Sequence, residues 1–221
     1  MIKLIGFFKR RPGMSVEAFQ DYWLEIHAES VKKLQGLLKY ANSKPLSVLY
    51  RRGKPAYDGV AEIWIGDIQS LRFLCGSPDY RAFRTDLQNF TDVSSMGWLV
   101  TEEHVIIGNP VPPGSVKLIA FLNRKAGLTL AAFQKYWREI HGPMGSTIPG
   151  VRRYLQCHTL TNTPECAQTP MYDGVSMEWY ENTAAMNEAL KTPAFDRIIA
   201  DEANFLGPYA FILTSEQVID L

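Results

Sequence analysis

Residues 2–27, IKLIGFFKRRPGMSVEAFQDYWLEIH, lie without a gap over residues 116–141, VKLIAFLNRKAGLTLAAFQKYWREIH, and 14 of the 26 positions are identical. The correspondence resumes at Gly36 and Gly150, Tyr40 and Tyr154, and Pro78 and Pro193. It also includes the turns Tyr57-Asp58-Gly59-Val60 and Tyr172-Asp173-Gly174-Val175. A repeat of about 110 residues makes the chain two copies of one unit, each large enough for its own core. The copies divide as residues 1–109 and 115–221, joined by a Pro-rich linker at 110–114 within Gly108-Asn109-Pro110-Val111-Pro112-Pro113-Gly114.

Working outward, each copy opens with a strand, Ile2 to Lys9 and Val116 to Asn123. A turn follows at Gly13 or Gly127, then a helix with Ser15 or Thr129 as N-cap. Phe19, Tyr22, Trp23 and Ile26, matched by Phe133, Tyr136, Trp137 and Ile140, recur at helical spacing. They predict one apolar stripe that a sheet must cover. Strands are expected near Leu37–Ser43 and Val151–His158, and a long polar loop leads to each Tyr-Asp-Gly turn. The next strands carry Trp64 and Trp179, and a second helix is interrupted at Ser77-Pro78 and Thr192-Pro193. Last strands lie near Trp98–Ile107 and Ala210–Ile219. The order β-α-β-β-α-β is ferredoxin-like, and the fold class is α+β. Two such sheets on one chain can cover each other, forming an intramolecular dimeric α+β barrel.

Of 221 residues, 23 are basic and 23 acidic, so the formal net charge is zero. That argues against a nucleic-acid partner, which needs a basic stripe, and no stretch is long and apolar enough to span a membrane. Cys75, Cys157 and Cys166 form no C-x-x-C pair and occupy unmatched places, which points to a reducing cytoplasm. Cys157 reads as a packed thiol. No metal-ligand spacing, phosphate loop or nucleophile elbow is present. The expected partner is a small-molecule substrate, with no cofactor. The pseudo-dimer within one chain leaves room for a further homodimer.

Chemistry falls on three positions. His27 and His141 close the repeated F-Q-x-Y-W-x-E-I-H motif and extend the buried stripe, where an imidazole can accept a proton near neutral pH. The helix C-terminal dipole would favour its charged form. Tyr40 and Tyr154, each 13 residues later, can orient or protonate a ligand oxygen. Trp23 and Trp137 would line the same space. On the third strand the copies part. Alternation puts Glu62 on the face of Val60 and Trp64, whereas Glu178 shares its face with Ser176 and Tyr180. The first copy's matching face is Ala61, Ile63 and Ile65, so the second pocket is the better candidate for catalysis. A carboxyl in such surroundings has a raised pKa. His104 and His158 have no counterparts; His158, four residues beyond Tyr154 on the same strand face, could reach the same pocket but reads better as a surface imidazole.

The string Y-W-R-E-I-H-G-P at residues 136–143, followed by Ile148-Pro149-Gly150-Val151-Arg152-Arg153-Tyr154 and the Tyr-Asp-Gly-Val turn, closely resembles the EthD family of dimeric α+β barrel proteins. The first copy has Ala28-Glu29 where the family has Gly-Pro. The superfamily includes muconolactone isomerases, polyketide cyclases, cofactor-free monooxygenases and haem-degrading enzymes. By motif the chain is similar to the methylmuconolactone methylisomerases. That resemblance implies roles for the histidine at 27 and 141 and the tyrosine at 40 and 154. It places that family's cysteine at Ile63 and Glu178, where no thiol stands. The expected function is therefore cofactor-independent lyase, isomerase or cyclase chemistry on a small oxygenated hydrophobic metabolite, with His141, Tyr154 and Glu178 as acid/base groups. The alternatives are a non-catalytic hydrophobic-ligand-binding or stress-response barrel and a haem-binding barrel.

Overall fold

The computed structural model describes residues 1–161, 163 and 170–221; Cys166 lies outside the described residues. In chain order the elements of the first copy are β1 (Ile2–Arg10), α1 (Val16–Asp21), a π-helical turn (Tyr22–His27), α2 (Ala28–Val31), β2 (Leu37–Pro45), α3 (Ser47–Arg52), β3 (Gly59–Ile65), α4 (Ile68–Gly76), α5 (Pro78–Phe90) and β4 (Thr91–Gly108). The second copy follows with β5 (Val116–Arg124), α6 (Leu130–Tyr136), a π-helical turn (Trp137–His141), α7 (Gly142–Gly145), β6 (Val151–Thr159), β7 (Gly174–Tyr180), α8 (Thr183–Ala189), α9 (Pro193–Phe205) and β8 (Leu206–Ile219). This is a tandemly duplicated α+β domain of ferredoxin-like order. Among the described residues the first copy adds α3 in its polar loop.

Two compact units form. One is Met1–Glu102 with Leu160–Met171 and Glu216–Leu221, and the other is Glu103–Thr159 with Tyr172–Ser215. In the first, antiparallel pairing gives the strand order β4-β1-β3-β2. In the second the order is β8-β5-β7-β6. The caps behave as their side chains dictate: Ser15 and Thr129 accept from the amides of Ala18 and Ala132 at 3.1 Å. Ser77 and Thr192 cap α5 and α9 immediately before a proline, which gives up no helical hydrogen bond there.

The repeated Tyr-Asp-Gly-Val turn holds helix to sheet. Asp58 accepts from the amide of Arg10 at 3.0 Å and pairs with its guanidinium, and Asp173 does the same with Arg124. The glycine that follows is a close-approach site. A Cβ on Gly59 would lie 2.6 Å from Phe8 and 2.8 Å from Trp23, and one on Gly174 would lie 2.5 Å from Trp137. Trp23 is fully buried, edge-on to Phe8 at 5.1 Å, in a core that also holds Leu4, Phe19, Ile63, Phe83, Leu87 and Val100.

The apolar stripe needs a correction. Phe19, Trp23 and their counterparts are buried, but Ile26 is 58% exposed and Ile140 48% exposed. An i→i+5 turn takes in one extra residue. It therefore rotates the isoleucines out to solvent and carries His27 and His141 into the centre of the buried face. Tyr22 and Tyr136 lie at the edge, half-buried.

Because rigid aromatic rings occupy the space at Gly59 and Gly174, Gly59→Ala and Gly174→Ala should each lower the unfolding free energy by about 1–3 kcal/mol through overpacking. Urea unfolding would measure it, with Gly76→Ala, whose Cβ meets nothing within 4 Å, as the comparison.

Candidate active site

Each buried histidine is held by a carboxylate from the long second helix. His27 Nδ1 donates to Asp86 Oδ2 at 2.7 Å, and His141 Nδ1 donates to Asp201 Oδ2 at 2.9 Å. The other carboxylate oxygen accepts from Tyr22 or Tyr136, at 2.7 Å in both copies. Asn89 and Asn204 close each network, donating to the same oxygen at 2.9 Å. These partners were missed from the sequence, yet a signal was present: Asp86 to Phe90 and Asp201 to Phe205 both read D-x-x-N-F.

Burial pushes the pKa of both imidazoles down, and the neighbouring aspartate only partly offsets it. This corrects the expectation from the helix dipole: desolvation wins, and the ring is held neutral. With Nδ1–H committed to aspartate, the lone pair is on Nε2. The rings lie between helices, His27 against Phe83 and Phe90 and His141 against Phe205 at 4.7 Å. Asp86 faces a surface hollow of about 250 Å³ lined also by Ile26, Ser30, Lys33 and Asp79. No hydrogen bond joins His141 to Tyr154 or Glu178.

The tyrosines sit elsewhere, on the helix-facing side of each sheet. Trp137 Nε1 and Gln156 Nε2 donate to the Tyr154 hydroxyl oxygen at 3.2 and 3.0 Å, and Gln156 also donates to the Trp137 carbonyl at 2.8 Å. In the first unit Trp23 and Asn42 stand beside Tyr40, but none of their polar side-chain atoms closes a hydrogen bond. The residue after the histidine accounts for the difference. A Cβ on Gly142 would come 2.8 Å from Gln156 Nε2. In the first copy that methyl is present, as Ala28, and the shorter Asn42 replaces Gln156.

Register carries the third position. Tyr154, Glu178, Leu118 and Leu213 form one cross-strand row, and Gln156, Ser176, Ala120 and Phe211 form the next. Tyr180 donates to Glu178 Oε2 at 2.7 Å, and Ser176 lies 3.4 Å from Oε1. Burial raises the Glu178 pKa more than these two donors lower it. Burial and the nearby Glu178 carboxyl keep both Tyr154 and Tyr180 protonated. The first unit's rows read Tyr40, Ile63, Leu4, Val100 and Asn42, Ala61, Gly6, Trp98. Those apolar side chains are packed core, and Trp98 fills the space above Gly6, 2.8 Å from where a Cβ would be.

Glu62 faces the other side of its sheet. It is fully buried and accepts from Lys3 Nζ at 3.0 Å, and the same ammonium lies 4.3 Å from the Trp64 ring centroid. His158 is no surface imidazole. It is buried, stacks on Trp137 at 4.7 Å, bonds Gln156 through Nε2 at 3.1 Å and meets His104 at 4.4 Å. Burial, then the charges of His104 and Arg138, push its pKa down to about 3. Cys157 is buried. Among the described residues no cluster of three or more His, Cys, Asp or Glu has the geometry of a metal site, and no helix is long and apolar enough to cross a membrane.

The EthD domain model matches residues 11–94 and again 125–208. The chain belongs to the EthD family. The two matches take in both helices and both middle strands of each copy, and leave out β1, β5 and most of β4 and β8. No curated protein sequence matches the chain significantly. Solved structures of dimeric α+β barrel type align with it over nearly its whole length. An anthrone oxidase-like protein is 11% identical with a TM-score of 0.69, covering 98% of this chain and 92% of its own. A candidate monooxygenase of Fusobacterium nucleatum subsp. nucleatum is 8% identical with a TM-score of 0.67, covering 99% and 94%. A chlorite dismutase variant from Candidatus Nitrospira defluvii is 11% identical with a TM-score of 0.51, covering 97% and 91%. At these identities the likeness is one of fold.

His27, His141 and His158 all have folded-state pKa values below the ordinary 6.5. The stability they contribute is complete above the unfolded pKa and is lost as pH falls below about 6.5 toward the folded values. Urea midpoints should therefore drop between pH 7 and pH 5. His158→Phe should flatten that slope; an unchanged slope would remove His158 as a contributor.

Proposed function

We propose that the second EthD domain carries out cofactor-independent acid/base chemistry on a small, oxygenated, largely apolar molecule. A lactone, an aromatic catabolite or a polyketide-like enol fits, and the reaction class is isomerase, lyase or cyclase. The observation that supports this is Glu178: a half-buried carboxyl on the helix-facing side of β7, at the place of Ile63, with its pKa raised by burial. A carboxyl whose pKa is raised in this way can serve as a general acid or base.

The neighbouring groups divide the remaining work. Tyr154 receives two donors on its oxygen, from Trp137 and Gln156, so its own O–H proton is uncommitted and can be donated to a developing oxyanion. Tyr180 spends its proton on Glu178, orienting the carboxyl. His141 acts through position. Its bond to Asp201 fixes the turn whose next residues pack on the site, because Gly142 abuts Gln156 and a Cβ on Gly145 would sit 2.8 Å from the Tyr154 ring. The first unit has no carboxylate on the matching face and its space is filled, so it serves as scaffold.

Deuterium uptake from D₂O into lactones, hydroxylated aromatics and 1,3-dicarbonyl compounds, followed by NMR, reads proton exchange without knowledge of the product. Glu178→Gln should slow uptake by roughly 10²–10⁴. Tyr154→Phe should slow it as well, while Tyr40→Phe, which removes a hydroxyl without a partner, should leave it unchanged. Wild-type uptake by Glu178→Gln would overturn the reading.

A further inference from the structure

We propose that Glu202 on α9 is a second acid/base residue of the same site, electrostatically coupled to Glu178 on β7. The proposal rests on the reading of Glu178 given above, and the repeat supplies the argument. The residue equivalent to Glu202 in α5 is Leu87, four residues after Phe83 as Glu202 is four after Ile198. Leu87 is only 2% exposed and belongs to the apolar core that α5 makes against the first sheet. On α9 the flanking residues Ile198 and Phe205 are still buried, so the helix is seated the same way and directs Glu202 toward its own sheet.

The substitution does not stand alone. Leu87 becomes Glu202 in the copy where Ile63 becomes Glu178, Ile65 becomes Tyr180 and Ala61 becomes Ser176. Polar groups have thus entered from both sides of one space. On β8, Tyr209 and Phe211 project to that same face, by their register with Leu122 and Ala120 of β5. Tyr209 stands beside Glu202. Phe211 is 63% exposed, whereas the first unit seats Trp98 against Phe83 at the matching register position. One face is sealed by an indole; the other is lined with carboxyls and phenols under an exposed aromatic lip.

Two carboxyls facing a common space repel each other, and neither ionises independently of the other. The groups around them offer no countercharge. Ser176 and Tyr180 of β7 and Tyr154 of β6 face Glu178, while Asp201 of α9 and Tyr209 of β8 face Glu202. Among the described residues no lysine or arginine pairs with either. Burial and the Glu178 charge both push the Glu202 pKa up. In turnover the ionised Glu178 takes a proton from a substrate carbon, and the protonated Glu202 returns one to the substrate at another atom. Loss of the proton from Glu178 to solvent and uptake of one by Glu202 then restore the starting state, with no net gain or loss of protons or electrons. A pair carrying one negative charge selects neutral, enolisable or hydroxylated substrates and disfavours carboxylates and phosphates.

Infrared titration of carboxyl bands in the full chain tests the pair without any substrate. Wild-type protein should show a protonated carboxyl persisting above the ordinary range of Asp and Glu, absent from Glu178→Gln. In Glu202→Leu, which installs the first copy's own residue, the remaining Glu178 should ionise about one pH unit or more lower. Glu202→Gln serves the same purpose if the leucine variant fails near-ultraviolet circular dichroism. A Glu178 titration unmoved in both variants would overturn the pairing. Deuterium uptake should fall about tenfold or more in Glu202→Gln. Coupled titration with uptake indifferent to Glu178 would instead remove the proposed function and leave the pair standing.

Discussion

The indole of the first helix, pressed onto the glycine that begins the third strand, is the contact on which each copy is built. Trp23 meets Gly59 and Trp137 meets Gly174 at distances no Cβ could share. The residues around each glycine extend the same joint. Asp58 and Asp173 anchor the end of the first strand through an arginine and its amide, and the rings of Phe7 and Tyr57 lie 4.8 Å apart. A helix seated this deeply needs its next turn to clear the sheet, and the π-helical turn is how the backbone does so. It keeps the histidine buried where a regular helix would have buried isoleucine as well.

From that shared joint the copies solve the helix–sheet space in two ways. The first fills it with apolar side chains and Trp98, and tolerates unpartnered atoms on Trp23, Tyr40 and Asn42. Each such group costs on the order of 1–3 kcal/mol, a loss the continuous core must offset. The second replaces part of the core with Ser176, Glu178, Tyr180 and Glu202. It satisfies Tyr154 through Trp137 and Gln156, and an apolar cluster of Leu122, Phe133, Trp137 and Phe205 packs beside it. Gly142 belongs to that arrangement, since the Gln156 amide occupies the space a side chain there would take.

Much of this was legible in sequence because it is local. Caps depend on one residue and the next three, and strand alternation placed Glu178 with Ser176 and Tyr180 while putting Glu62 on the opposite face. Three things were not. The i→i+5 turn follows from tertiary packing, so periodicity alone put Ile26 and Ile140 inside. Asp86 and Asp201 lie 59 and 60 residues from their histidines, a distance no spacing rule covers. Glu202 reads as an ordinary solvent-facing acid on an amphipathic helix until it is set against Leu87. A position-by-position comparison of the second helices would have found both the repeated D-x-x-N-F and that exchange.

The duplication also separates structural from chemical roles. A network that survives unchanged in an apolar copy and a polar one answers to a demand both copies share. The Tyr-Asp-His-Asn network does this, joining the first helix to the second in both copies. Groups present in only one copy answer to something else. Glu178, Tyr180 and Glu202 replace residues that would have packed better, and a buried carboxyl without a cation is costly to keep. Selection for stability alone would favour the isoleucines and the leucine found in the first copy. Their absence from the second is what the proposed proton chemistry would require.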